Sequence, residues 1–231
     1  MRKAGNVSTA QAEDSGEVAD KPQPDRDRAT GLQEVIAVVL LSVTAILTAW
    51  SGFQSSKWGG AMSISFSQAS SARIEAARHD SNAVTRQAVQ VGLFTQWVQA
   101  VGNNDTKVSN FLSARFPEPL ATAFKDWVAT HPLTNPSAPR SPFDMPSYKV
   151  PEKAAAAEAD SRADAKFQEA LRNNQRGDNY TVLTVLFAIV LFFSAMSTRI
   201  GSYVARWWVL GIAIATFLAG VGLLISLPKL V

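Results

Sequence analysis

The sequence predicts an all-α membrane protein with three transmembrane helices and an extramembrane helical hairpin domain between the first two. Three apolar runs, residues 35–53, 180–197 and 207–227, contain no Lys, Arg, Asp, Glu or His. A helix needs roughly 20 mostly apolar residues to cross a hydrocarbon core, and runs of this length are not barrel strands. Between the first two runs lies a long polar segment whose apolar side chains recur at helical spacing.

The chain begins with residues 1–31, which are polar, carry charges of both signs and include few large apolar side chains. Such a stretch cannot bury enough surface to offset the entropy lost on ordering, which predicts a disordered tail. Residues 32–55 form the first predicted span. Its apolar core and the charged region before it are too long for a signal peptide, so we expect an uncleaved anchor. Trp50 and Trp58 bracket its end, at the interface depth that indole rings prefer.

Span one also carries hydroxyl side chains at Ser42, Thr44, Thr48 and Ser51. We expect these hydroxyls to bond to their own helix backbone rather than to line a polar pathway. No Lys, Arg, Asp, Glu or His lies inside the three apolar runs, and Glu34 lies at the edge of span one, where we expect it to be solvated. This argues against a proton relay or an ion-coupled transport site.

Residues 56–179 form the predicted extramembrane domain. Gly59-Gly60 indicates a flexible break or a bend, and residues 61–101 then follow a helical pattern up to a stop at Asn103-Asn104-Asp105. The apolar stripe of this helix is rich in alanine, which permits close approach of a partner helix. The stripe comprises Met62, Phe66, Ala69, Ala72, Ala76, Ala83, Ala88, Val91, Phe94, Val98 and Val101.

Two short helices, 106–116 and 120–130, are predicted next, separated by Pro117 and Pro119. Residues 131–151 contain six prolines, which predicts an extended crossing without regular structure. A proline-rich segment with aromatic residues, here beside Trp127, is typical of partner binding. We favour the alternative that the segment folds back over the helices as a cover.

Residues 152–176 form the third predicted extramembrane helix, and Glu152 suits the positive end of its dipole. Gly177-Asp178-Asn179 indicates a local break in the helix before span two at 180–197. The apolar positions follow a near-heptad pattern: Ala156, Ala159, Ala163, Phe167 and Ala170. The simplest assembly is antiparallel, with the first long helix leaving the membrane and this one returning to it.

Residues 198–206 form a short loop, and residues 207–227 form the third span. In this span Gly211, Ala215 and Ala219 lie four residues apart on one face. Such a small-xxx-small face lets helix backbones touch in a membrane. We expect it to pack against spans one and two of the same chain, with self-association between copies as the alternative.

Arg199 and Arg206 in the short loop set the predicted orientation, because short loops carry the orienting positive charges, and Arg26 and Arg28 before span one lie on the same side. They place the N-terminus and this loop in the cytoplasm and the middle domain outside it. Lys57, Arg172 and Arg176 lie near the membrane on the other side and weaken this preference.

Two stretches of the sequence are distinctive. The end of span one reads TAWSGFQSSKWGG and precedes an alanine-rich helix that begins SQASSAR, and the middle region reads FPEPLATAFKDWVATHPLTNPSAPRSPFDMPSYKV. Both resemble a group of uncharacterised bacterial three-span membrane proteins with a TAWSxxQ run followed by an Arg/Lys-Trp pair. The resemblance covers most of residues 35–227 and implies a multi-pass protein of the bacterial inner membrane. It implies no activity and carries over no functional residues.

Composition excludes several classes of function. The 22 Lys and Arg nearly balance the 19 Asp and Glu, which gives no concentrated basic face for nucleic acid. The absence of cysteine excludes disulfides, thiolate chemistry and Cys-based metal sites. His79 lies with Glu75 and Asp80 on a polar helix face that we expect to be solvated, and His131 precedes a proline and is expected in a turn.

The sequence therefore predicts no catalytic residue, no cofactor and no metal site. We expect a non-enzymatic membrane protein whose helical domain serves assembly or partner contact. Its expected partners are the lipid bilayer and either further copies of the chain or another membrane protein, with no nucleic acid. The alternative is an accessory subunit or small pore-forming component of a transport system, which needs the spans of several chains to build a pathway. A membrane-bound enzyme is the least favoured hypothesis.

Overall fold

A computed structural model describes residues 24–230, and their side chains from Gly31 onward. The helices are α1 (Pro24–Gly102), α2 (Thr106–Ser113), α3 (Leu120–Ala129), a short 3-10 helix (Pro142–Asp144), α4 (Pro151–Ser197) and α5 (Tyr203–Ser226). Within these described residues there is no strand. Gly31–Gly102 of α1, all of α4 and all of α5 are long and apolar enough to cross a membrane. The predicted all-α class with three candidate spans is confirmed.

The chain divides into two compact units. The first, here called the apolar unit, comprises the described residues up to Thr48 together with Val185–Gly222. The second, here called the polar unit, comprises Ala49–Thr184 and the described residues from Leu223 onward.

The apolar unit has a small core to which α1, α4 and α5 all contribute. Its buried members are Ala37, Leu40, Val190, Leu210 and Ala213. Gly220 of α5 is also buried, and a Cβ atom added there would lie 2.6 Å from Leu186 Cδ2 and 2.8 Å from Phe187 Cε1. The absence of a side chain therefore lets the backbone of α5 come close to α4 at this point.

Two expectations for the N-terminal half are wrong. Residues 24–31 of the predicted disordered tail are helical, whereas residues 1–23 lie outside the described residues. Extending an existing helix costs far less than nucleating one, and Pro24 suits the first helical turn. The helix also passes through Gly59-Gly60 without a break. An interior glycine costs only about 1 kcal/mol relative to alanine, and the neighbouring Trp58 is buried.

The third predicted extramembrane helix and span two form one continuous helix, α4, with no break at Gly177-Asp178-Asn179. Gly177 is buried, and a Cβ atom there would lie 3.6 Å from both Ser55 O and Trp58 Cβ. This glycine therefore serves a close helix contact rather than a turn. The short loop is also shorter than predicted, because α5 begins at Tyr203, and α2 ends at Ser113 rather than at residue 116.

Candidate functional site

In the polar unit, α1 and α4 pack against each other through small side chains. The buried alanines are Ala69, Ala76 and Ala83 on α1 and Ala159, Ala163 and Ala170 on α4. The α1 alanines lie seven residues apart, and a seven-residue repeat keeps one face of a helix toward its partner. Alanine side chains at these positions permit a close approach of the two backbones.

Ion pairs flank this α1–α4 interface. The pairs that join the two helices are Arg73 with Asp160 and Asp164, Glu75 with Arg162 at 2.8 Å, and Arg86 with Glu152 at 2.9 Å. Residue numbers rise along α1 as they fall along α4, so the two segments run antiparallel. Most of these side chains are about half exposed, and each pair contributes little stability by itself. Together they favour one register of the two helices.

Glu152 is the most buried carboxylate in this set, with 17% of its side chain exposed. Its own backbone N–H and the Arg86 guanidinium both donate hydrogen bonds to it, and these lower the pKa of the Glu152 carboxyl. The charge is therefore part of the packed structure rather than a free surface group.

An aromatic cluster closes the end of the polar unit where α1 meets α2 and α3. Its members, each within ring-contact distance of another, are Phe94, Trp97, Phe116, Phe124, Trp127, Phe143 and Tyr148. Trp127 Nε1 donates a hydrogen bond of 2.7 Å to Pro139 O. Phe143 and Tyr148 come from the proline-rich segment, so the prediction that this segment folds back over the helices is confirmed by its contacts.

Gln90 links this cluster to the α1–α4 interface. Its side chain is buried, its Nε2 donates to Glu118 O at 2.9 Å, and the Tyr148 hydroxyl donates to its Oε1 at 2.7 Å. Both ends of the amide are thus satisfied, as a buried polar group requires. The sequence does not indicate Gln90, because hydropathy patterns do not mark a polar residue as part of a core.

An apolar groove of about 370 Å³ lies beside the aromatic cluster. Its lining includes Trp97, Val101, Trp127, Val128 and Leu133. Leu133 is 86% exposed, and His131, which adopts a positive φ of 54°, forms the turn after α3. The prediction of a turn at His131 is confirmed.

At the other end of the polar unit, a polar clamp holds the segment after α5. Gln54 Nε2 donates to Leu230 O at 3.2 Å, and Leu230 N–H donates to Gln54 Oε1 at 3.0 Å. The Tyr180 hydroxyl donates to Pro228 O at 3.1 Å. Gln54 and Tyr180 are both fully buried. We call this arrangement the Gln54 clamp.

Trp58 lies next to the Gln54 clamp on α1. The Arg176 guanidinium lies 4.7 Å from the centre of the Trp58 ring, a cation–π contact. The Ser55 hydroxyl donates to Gly177 O at 3.1 Å. Ser51, Gln54 and Trp58, all in the TAWSGFQSSKWGG stretch, are buried, so this distinctive run has a structural role where α1 meets α4.

The predicted apolar stripe of α1 is only partly correct. Ala69, Ala76 and Ala83 are buried, but Ala88, Val91, Val98 and Val101 are exposed. On α4, Phe167 lies outside the buried line, with 41% exposure. The seven-residue repeat passes from Ala83 to Gln90 rather than to the valines. The distal half of α1 therefore has a second, uncovered apolar face.

The predicted intrachain packing face of span three is wrong. Gly211, Ala215 and Ala219 are all exposed, and a Cβ atom at Gly211 would meet nothing within 4 Å. The buried small residues of α5 are instead Ala213 and Gly220. Span three contains small residues on two faces, and their spacing alone does not say which face meets the rest of the chain.

Two hydroxyls of span one and the remaining histidine have local partners. Ser42 donates to Val38 O and Thr48 donates to Thr44 O, as predicted. The expectation is wrong for Thr44, whose Oγ1 is buried without a hydrogen-bond partner among the described residues. His79 Nε2 lies 3.8 Å from Glu75 Oε1 on an exposed face. Among the described residues, no group of three or more His, Asp or Glu side chains is placed to hold a metal ion.

Comparison with known proteins adds no relative. No protein-family model, no curated protein and no solved structure matches this chain. Any proposal about function therefore rests on the surfaces described above. They offer apolar contact, ion pairing and rigid spacing.

Proposed function

We propose that the chain is a multi-pass protein of the bacterial inner membrane whose polar unit is an extramembrane helical hairpin for assembly or partner contact. The α1–α4 interface carries the proposal. Antiparallel helices with an alanine contact, flanking ion pairs and an aromatic end cluster build a stiff element rather than a reaction site. The apolar groove and the uncovered valines of α1 give this element surfaces for contact.

The proposed orientation puts the N-terminus in the cytoplasm and the hairpin outside. Arg199 and Arg206 support it, because positive charges in short loops determine orientation. Lys57, Arg172 and Arg176 oppose it. The likeness to three-span bacterial proteins with a TAWSxxQ run supports the choice of membrane.

Cysteine labelling tests this arrangement, because the native chain contains no cysteine. In intact spheroplasts, Ser137→Cys should react with a membrane-impermeant thiol reagent, whereas Ser8→Cys should react only after permeabilisation. The opposite pattern would reverse the orientation. Equal reaction of both in intact cells would contradict a membrane between them.

The hairpin itself is tested by a designed disulfide. Asn173 Nδ2 lies 3.4 Å from Ser65 Oγ, so Ser65→Cys with Asn173→Cys should oxidise within one chain. Ser67→Cys with Asn173→Cys is the matched control, because Ser67 is exposed. Failure of the first pair, or equal oxidation of both pairs, would contradict the helix pairing.

One observation favours the second candidate, a component of a transport system. Both amide atoms of Gln33, Thr44 Oγ1 and Ser194 Oγ are buried in the apolar unit without a hydrogen-bond partner among the described residues. Unpaired polar atoms at membrane depth are costly, so water or polar groups of another chain would stabilise them. In native membranes, Thr44→Cys and Ser194→Cys should then react with a small water-soluble thiol reagent while Ala213→Cys does not. Protection of all three would remove this candidate.

A further inference from the structure

The distal half of α1 has two faces with heptad spacing, and only one of them is covered. The covered face is the α1–α4 interface up to Ala83, and beyond it the face of Gln90 and Trp97, which contact Glu118, Tyr148 and the aromatic cluster. The second face, here called the outer face, consists of Ala77, Ser81, Val84, Ala88, Val91, Thr95 and Val98, all exposed. Their spacing alternates between four and three residues, the spacing of a coiled-coil contact line. Val84, Val91 and Val98 are 56%, 41% and 47% exposed.

The outer face differs from an ordinary solvated helix surface in its charge. No charged residue occurs between Arg86 and Asp105, a stretch that includes two of the three valines. Solvent-facing helix surfaces are usually rich in Lys and Glu, whereas the centres of protein interfaces are depleted of charge. A line of aliphatic and small hydroxyl side chains without charge is therefore typical of a surface that a partner covers.

We infer that the outer face docks against the same face of a second copy of this chain, as a parallel coiled-coil contact around a two-fold axis. The inference rests on the proposed extramembrane hairpin. Two copies that leave one membrane at the same residue present the same α1 residues at the same height. Like residues then meet in register, Val84 with Val84 and Val91 with Val91, which is the pairing that a two-fold axis produces.

Charge and side-chain size both suit this self-contact. In-register pairing brings like charges together wherever a charge flanks the contact line. Arg78 and Asp80 flank its first heptad, whereas the segment from Gln87 to Asn104, which holds most of the line, has no charge. The alternation of valine with alanine, serine or threonine lets two such helices approach closely. From Ala77 to Val98 the contact would extend roughly 30 Å. Confinement to one membrane raises the effective concentration of the partner, which favours a contact of this length.

Single cysteines in native membranes test the inference with a close control. Val84→Cys and Val91→Cys lie on the outer face. Val89→Cys replaces the same residue type, is 56% exposed like Val84, and points about 160° away from Val91 around the helix. Under mild oxidation, the first two variants should form a disulfide-linked dimer to a roughly tenfold greater extent than Val89→Cys. A disulfide requires Cβ atoms within about 4.5 Å, so the readout reports direct pairing.

Labelling of the same variants separates the possible failures. Val89→Cys should react with a membrane-impermeant reagent added on one side of the membrane only. If it reacts with reagent on neither side, the proposed extramembrane hairpin itself is overturned. If Val89→Cys reacts but Val91→Cys forms no dimer and reacts as fast, the outer face is uncovered and the docking inference fails. If Val91→Cys is protected without forming a dimer, a different partner covers the face, and the inference also fails. Equal dimer formation by Val89→Cys would indicate random collision and would likewise overturn it.

Discussion

Gly220→Ala should destabilise the apolar unit, although it adds only one methyl group. A Cβ atom at this position would lie 2.6 Å from Leu186 Cδ2 and 2.8 and 3.3 Å from two atoms of the Phe187 ring. Carbon atoms in contact prefer a separation of about 3.5–4.0 Å, so the overlap with Leu186 is about 1 Å. The Leu186 side chain can rotate away, but the Phe187 ring is fully buried.

The magnitude follows from two opposing terms. Overpacking a dense contact costs about 1–3 kcal/mol, whereas replacing glycine by alanine within a helix gains up to about 1 kcal/mol. Gly211→Ala and Gly222→Ala should gain the helix stabilisation without the overpacking cost, because a Cβ atom at either position meets nothing within 4 Å. Relative to these controls, Gly220→Ala should therefore lower the free energy of unfolding by about 1–3 kcal/mol.

Unfolding by increasing SDS in mixed detergent micelles, followed by circular dichroism or tryptophan fluorescence, measures this difference. All three variants lie on α5, so effects of the micelle are shared. Unfolding of Gly220→Ala at the same SDS fraction as Gly211→Ala would refute the close contact between α5 and α4. A larger loss for Gly211→Ala would instead indicate that the exposed small face carries the packing.

Three further predictions concern the polar unit. Ala163→Leu should lower the free energy of unfolding by about 1–3 kcal/mol, because Ala163 is fully buried at the α1–α4 interface, whereas the exposed Ala165→Leu should not; equal melting temperatures would contradict the packed alanine contact. Gln54→Ala should lower the free energy of unfolding by about 1–3 kcal/mol, because it leaves the Leu230 backbone unpaired. The Leu230 amide should then lose its protection from hydrogen exchange, whereas the exposed Gln68→Ala should leave that amide protected. The pKa of Glu152 is lowered in the folded state, so its carboxylate stabilises the fold above its unfolded pKa and loses this effect as the pH falls through the folded pKa. The difference in stability between the native chain and Glu152→Gln should therefore be present at neutral pH and disappear below about pH 4; a pH-independent difference would count against the role of the charge.

The apolar runs predict the three candidate spans because hydrophobicity over 20 residues is a local property. The alanine stripe predicted the correct face of α1 from Ala69 to Ala83 for the same reason, since spacing on one helix needs no knowledge of the partner. The prediction fails where the contact is polar, at Gln90, whose amide bonds to Glu118 O and to the Tyr148 hydroxyl. There the pattern followed the more hydrophobic Val91 and Val98 onto the wrong face.

Local sequence patterns do not predict contacts between distant parts of the chain. Gln54 and Leu230 are separated by 176 residues, and nothing in either neighbourhood indicates the other. Gly177 suggests a break in sequence because glycine favours turns, but α1 lies against it and the close contact depends on the missing side chain. The regular spacing of Gly211, Ala215 and Ala219 predicts the wrong face of α5, and Ala213 and Gly220 lie on the buried one. A single sequence does not show which of two faces with small residues packs within the chain.

The alanine contact between α1 and α4 restricts how this sequence can diverge. At Ala76, Ala83 or Ala163 a larger side chain would separate the two backbones, so substitutions there are limited by volume, whereas Ala157 and Ala165 face outward and are free to change. Distant relatives should then share residue size at seven-residue intervals more than residue identity. A search for small side chains at this period, in two segments that precede and follow a proline-rich crossing, would find such relatives after ordinary sequence similarity has been lost.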